Sequence, residues 1–392
     1  MKAEHIPFVF NEDDSKILTK YYSDSAMVRV SLETWPRVRN RMPHGIPLWM
    51  DGGVDGLHAW RPSNDNSYSD HIKRFPGFDR VADSAFQENP EKGLVRQFVQ
   101  SLLDECHKSS SKSEWLSVPQ LPIVAGAGRN KINRMLAEAA NEWKVERRFN
   151  GKVILPIILL HQNQVNGKTN RKGPLDLAAR CYDLAGSDGV WVAQSWLNDQ
   201  EGAKPLERRF QDLIEFHQEL NARLPSQAIT VVGPHWGMNL VLWARGLARY
   251  AAVGLGNAYR YYIPGGMRFK GKDHIALPPL RRWVVASPQF KSWLHEKALP
   301  RLSRQQPTYA EFSELYSRYD KIVLDWRSQV ADFQKRWFDE LAGVQPSGRA
   351  LALYQQLSSA YVLGRSLPEL PKDEKSARKP ERVAQQLMMS CL

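Results

Sequence analysis

The chain has 392 residues, 42% of them hydrophobic and 24% charged, the composition of a globular protein with ample core. No run approaches the roughly 18 to 20 apolar residues that cross a bilayer, and the charged opening MKAEHIPFVFNEDD lacks a signal-peptide core. A membrane or secreted protein is therefore not expected. Lys and Arg number 54 against 42 Asp and Glu, a net charge of +12 that favours phosphate-bearing partners through counterion release.

In chain order, short apolar runs recur at residues 26–32 (AMVRVSL), 46–50 (IPLWM), 121–125 (LPIVA) and 153–160 (VILPIILL). Three more follow at 189–193 (GVWVA), 228–232 (AITVV) and 251–255 (AAVGL), with 282–286 a candidate eighth. Continuous rather than alternating apolar character predicts parallel strands buried on both faces. Amphipathic segments at 131–148, 175–185, 208–224 and 240–249 predict helices between them. The alternation predicts an α/β protein, a (β/α)8 barrel over residues 1–287, with an open doubly wound sheet as the alternative. Beyond residue 287 strand signals cease. Long stretches at 309–344 and 347–364, a Pro- and charge-rich linker at 368–379 and a short helix at 381–389 predict a helical extension over 288–392.

The three cysteines, Cys106, Cys181 and Cys391, stand singly, with no CxxC or HExxH spacing. Neither a disulfide framework nor a metal site is expected, and a reducing, cytoplasmic compartment fits best. Thirteen Trp and thirteen Tyr add to the basic charge a supply of rings that stack on unpaired bases, although most belong in a core.

Each predicted strand ends in small or polar residues, which a barrel would gather on its C-terminal rim, where barrel active sites lie. Asp51-Gly52-Gly53, followed by Asp55, offers carboxylates beside a backbone that a ligand can approach closely. Which of Asp51 and Asp55 faces the pocket depends on strand register, and either also suits a turn. His161, Gln162 and Asn163 end the fourth run. Gln194 ends the fifth, and His235 with Trp236 ends the sixth; these donors and acceptors suit the polar edge of a base. Lys168, Arg171 and Lys172 lie in an acid-free stretch that reads as a loop. Arg260, Tyr261, Arg268, Lys270 and Lys272 interleave cations with rings, as a strand carrying a displaced base requires, or merely form a basic loop.

In order and spacing over residues 26–270, these motifs resemble the tRNA-guanine transglycosylase superfamily, nearest to its DNA-directed branch. Asp51-Gly52-Gly53 is similar to that family's Asp-Ser-Gly-Gly strand end. Residues 161–164 (HQNQ) stand where the family has Val-Gln-Gly-Gly, and residues 193–196 where it has Gly-Leu-Ala-Val-Gly-Glu. Two departures matter. The family's nucleophilic Asp would fall near residues 256–259, where Asn257 stands, and its Cys-rich zinc module is absent. What the resemblance implies is N-glycosidic chemistry without a cofactor, on DNA rather than tRNA. With Asp51 the retained carboxylate and Asn257 orienting sugar or water, hydrolysis is expected over exchange, giving a DNA glycosylase that flips a modified base. Phage DNA would be its natural substrate, and anti-phage defence its setting. Two alternatives are a transglycosylase inserting a 7-deazaguanine, with Asp51 or Asp55 as nucleophile, and a non-catalytic nucleic-acid-binding barrel.

Overall fold

A computed structural model describes residues 4–52, 74–109, 113–123, 127–195, 197, 207–255, 273–372 and 377–392. Eight parallel strands close into a barrel in sequence order: β1 (His5–Val9), β2 (Val28–Ser31), β3 (Leu48–Asp51), β4 (Ser113–Ser117), β5 (Lys152–Leu159), β6 (Gly189–Gln194), β7 (Ile229–Val232) and β8 (Tyr250–Gly254). The ring is completed by β8 on β1, with His5 opposite Ala251 and Phe8 opposite Gly254. The expected (β/α)8 architecture is present, and the open sheet is excluded.

Three strand assignments need correction. The first strand is β1, whose apolar run is interrupted by His5 and Pro7 although all five residues are buried. The strand expected at 121–125 is displaced to β4, and Ile123 makes only an isolated bridge to Leu159. Residues 282–286 supply no barrel strand. They form β10 (Arg282–Val285), antiparallel to β9 (His274–Leu277) in a separate two-stranded sheet.

Helices occupy the crossovers. They include α1 (Glu12–Tyr21), α5 (Lys92–Ser109), α6 (Ala127–Glu146), α7 (Gly167–Leu184), α8 (Glu207–Arg223) and α9 (Met238–Ala244), with α2 to α4 short turns at Trp35–Val38, Phe78–Ala82 and Ser84–Glu88. Local chemistry sets their ends. Asn11 caps α1 by accepting from the Asp14 amide at 3.1 Å, ahead of three acidic residues in the first turn that favour the helix dipole. The chain divides into two compact units, one of Met1–Leu197, Asp212–Pro234 and Leu247–Phe269, the other of Asn198–Gln211, His235–Gly246 and Lys270–Leu392.

In the first unit the barrel is filled by large rings. Phe8, Trp49, Trp115 and Trp191 pack with centroids 5.2 to 5.8 Å apart, alongside Ile6, Ile154, Ile158, Val231 and Ala252. Edge-to-face contacts between Phe8, Trp49 and Trp191 suit the ring quadrupoles. The barrel is a packed core, not a pore. In the second unit α10 (Pro288–Trp293), α11 (Pro307–Ser317), α12 (Tyr319–Leu324) and α14 (Arg349–Ser366) pack with β9 and β10 around a cluster that includes Phe290, Trp293 and Phe312, and α13 (Trp326–Ala342) and α15 (Arg382–Met388) are further helices of that unit.

One buried group makes stability depend on pH. His217, on α8, is almost fully buried and Nε2 has no hydrogen-bond partner; burial pushes its pKa from 6.5 down to about 3. The unfolded chain therefore takes up a proton that the folded one refuses. His217's contribution is fully present above pH 6.5 and is lost as pH falls from 6.5 toward 3, on the order of 4 kcal/mol across the window. Urea midpoints measured from pH 7 to pH 4 should fall more steeply for the native chain than for His217→Phe. Parallel curves would refute the assignment.

Candidate active site

The register places Asp51 at the last position of β3, on the same inward face as Trp49, with Ser31 of β2 beside it. Asp51 has no exposed surface. Its Oδ2 accepts from Arg29 Nη2 at 2.8 Å and Nε at 3.1 Å, and from Ser117 Oγ at 2.9 Å. Ser117 Oγ in turn accepts from Trp49 Nε1 at 2.9 Å. Three adjacent strands thus contribute to one polar cluster inside an aromatic core.

Arg29 is the residue sequence reasoning missed. It is fully buried on β2, and its guanidinium carbon lies 4.6 Å from the ring centroids of both Phe8 and Trp191. Trp191 is itself anchored by its Nε1, which donates to the Gly233 carbonyl at 2.6 Å. The available signal was an arginine inside the apolar run AMVRVSL: a charge buried there needs a partner of opposite sign. Charge on Asp51 is also felt on α5, where burial and then the Asp51 carboxylate hold the Cys106 thiol well above its usual pKa, leaving it unreactive.

The rim beyond β5 is organised by Gln164. Its Oε1 accepts from the Leu160 and His161 amides, both at 2.8 Å, and its Nε2 donates to the Ile123 carbonyl. This turn leaves His161 and Asn163 exposed and Gln162 half-buried, available to a ligand at the C-terminal end of the barrel. Residues 167–173 form the start of α7 and not a loop. The two turns present Lys168 and Lys172 to solvent. Arg171 faces the other way. It is buried and pairs through Nη2 with Glu215 at 2.5 Å and through Nε with Glu219 at 2.7 Å, so its charge is consumed within the protein.

Other expected residues are placed differently. Gln194 is fully buried at the end of β6, in the pleat position opposite to inward-facing Ala193. Trp236 belongs to the second unit's core, packed at a tilt against Phe333 at 5.6 Å and Trp337 at 6.4 Å, with Nε1 donating to the Arg281 carbonyl at 3.2 Å. His235, also buried, lies in that same unit. A base-reading role for Trp236 is incompatible with that packing. Asp55, Asn257, Arg260, Tyr261, Arg268, Lys270 and Lys272 lie outside the described residues. Among the described residues no group of three His, Cys, Asp or Glu side chains is placed to hold a metal, and no helix is long and apolar enough to cross a membrane.

No family model and no curated protein matches the chain. Among solved structures it is similar to the enoyl reductase domain of MlnA from the macrolactin biosynthesis cluster of Bacillus amyloliquefaciens, over 100% of this chain and 94% of that one, with 10% identity and a TM-score of 0.32. A likeness at that level carries no argument about function.

Proposed function

We propose that the protein is a DNA glycosylase that hydrolyses the N-glycosidic bond of a modified base and leaves an abasic site. The observation that carries this reading is Asp51: a carboxylate on the inner face of the barrel at the C-terminal end of β3, held on one oxygen by three donors. In the proposed reaction the C1′–N bond breaks, its electron pair leaves with the base, and the base is protonated from water. The sugar passes through an oxocarbenium-like state that the fixed carboxylate stabilises without reorganising. A water oxygen then bonds to C1′ and releases its proton. Because Asp51 is fully buried, the barrel end must open for a flipped nucleotide to reach it.

The exposed His161 and Asn163, with Gln162, are the proposed readers of the base, and Lys168 and Lys172 the phosphate contacts beside them. Arg260, Arg268, Lys270 and Lys272 extend that role on sequence grounds, with Asn257 orienting sugar or water. The family resemblance and the +12 charge support DNA as the partner, and phage DNA with hypermodified bases as its source. The test is release of free base. Purified protein is incubated with unmodified DNA and with phage DNA carrying glucosylated or deazaguanine bases, and the products are read by mass spectrometry and alkaline cleavage. Base release from one modified DNA is the expected result. Incorporation of a supplied deazaguanine without net release would replace hydrolysis by exchange, and binding with neither product would replace both by a non-catalytic barrel.

A further inference from the structure

The contacts around Arg29 are those of a cation built to hold another side chain in place. Its guanidinium sits in the corner made by two edge-to-face rings, its carbon 4.6 Å from the centroids of both Phe8 and Trp191, while Nε and Nη2 both meet Asp51 Oδ2. Neither ring is free to drift. Phe8 and Trp191 also touch each other at 5.2 Å and each meets Trp49, whose Nε1 reaches Ser117. Two donors of one planar group converging on a single oxygen, with that group held against two rings, fix direction as well as charge, which a lysine ammonium does not do. A residue serving only to neutralise Asp51 would need neither the paired donors nor the two rings.

We infer that Arg29 is a positioning residue: it holds Oδ2 of the Asp51 carboxylate in place from a slot walled by Phe8, Trp191 and that carboxylate, and never touches the substrate. The inference rests on the reading of Asp51 as the reactive carboxylate. It has a consequence separable from that reading, because a slot shaped by two rings and one carboxylate should accept free guanidinium once the side chain is removed. Arg29 has no exposed surface, so Arg29→Ala empties the slot without adding bulk.

The experiment is chemical rescue with two readouts on the full-length chain. Arg29→Ala is expected to lower the rate of base release about a hundredfold at saturating DNA, with KM changed by less than about threefold, since Arg29 makes no substrate contact. Guanidinium chloride at millimolar concentration should restore at least about tenfold of that loss, and urea or sodium chloride none. Guanidinium should also raise the melting temperature of Arg29→Ala while leaving the native chain unmoved. Arg29→Lys, which keeps the charge and loses the fork, should fold and still be slow; it serves if Arg29→Ala does not fold. Equal activity in Arg29→Ala and native protein, native-like activity in Arg29→Lys, or equal response to urea and guanidinium would each overturn the inference. If the native chain releases no base from any DNA while guanidinium alone still stabilises Arg29→Ala, the slot stands and the glycosylase reading falls.

Discussion

Asp51→Asn is expected to abolish base release and, separately, to destabilise the fold by about 3 to 5 kcal/mol. The two losses have different origins. Activity fails because a neutral amide cannot offset positive charge developing at C1′. Stability falls because the Arg29 guanidinium, with no exposed surface, then faces a neutral amide in place of its carboxylate partner. A low melting temperature alone would therefore say nothing about catalysis. The pair Asp51→Leu and Arg29→Met in one chain separates them. Replacing a buried ion pair by apolar side chains is often neutral or stabilising, so this double variant should unfold within about 1 kcal/mol of the native chain and still release no base. Urea denaturation and the base-release assay on both variants decide the point. Retained turnover in a folded Asp51→Asn would remove Asp51 from the mechanism. Ser117→Ala, which takes away one donor at 2.9 Å, should cost about 1 kcal/mol and leave a weaker version of the same defect.

Trp191→Ala should cost about 3 to 5 kcal/mol, the range for deleting a buried ring whose surroundings cannot collapse into the space. Trp191 has no exposed surface, packs on Phe8 and Trp49, and covers one face of Arg29. It also donates to Gly233, so removal leaves that carbonyl without its 2.6 Å donor. Trp191→Phe keeps most of the ring and loses the N–H, and should cost about 1 to 3 kcal/mol. Combined with Arg29→Met, the Trp191→Ala loss should be smaller than the sum of the single losses, because both remove the same stacking contact. Strict additivity in urea denaturation would mean that the 4.6 Å stacking contributes nothing.

How far the chain could be read before folding follows from which forces are local. Strand runs such as VILPIILL carry their burial in their own composition, and six of the eight barrel strands lie where such runs stand. The other two, HIPFV and SEWLS, are mixed in composition: β1 carries His5 and Pro7, and β4 carries Ser117 at an inward position because a buried carboxylate there needs a donor. Arg282 shows the converse. Its run reads as a strand and is one, but the tertiary structure pairs it with β9 and ties its guanidinium to the carbonyls of Ala377 and Lys379.

The same division runs through the site. Asp51 is legible because an acid before two glycines at a strand end is a local pattern, and so are the polar side chains that follow β5. Arg171 and Trp236 look available in the sequence for one reason: their neighbours there are basic or small. Glu215 and Glu219 on α8, and Phe333 and Trp337 on α13, claim them from 44 or more positions away. By itself the sequence determined the parallel α/β architecture and the strand end bearing the carboxylate, since burial of continuous apolar runs needs no knowledge of partners. Only the tertiary structure decided that Asp51 faces inward onto Arg29 and Ser117, because a buried charge is settled by whichever strands the closing barrel brings within hydrogen-bond reach.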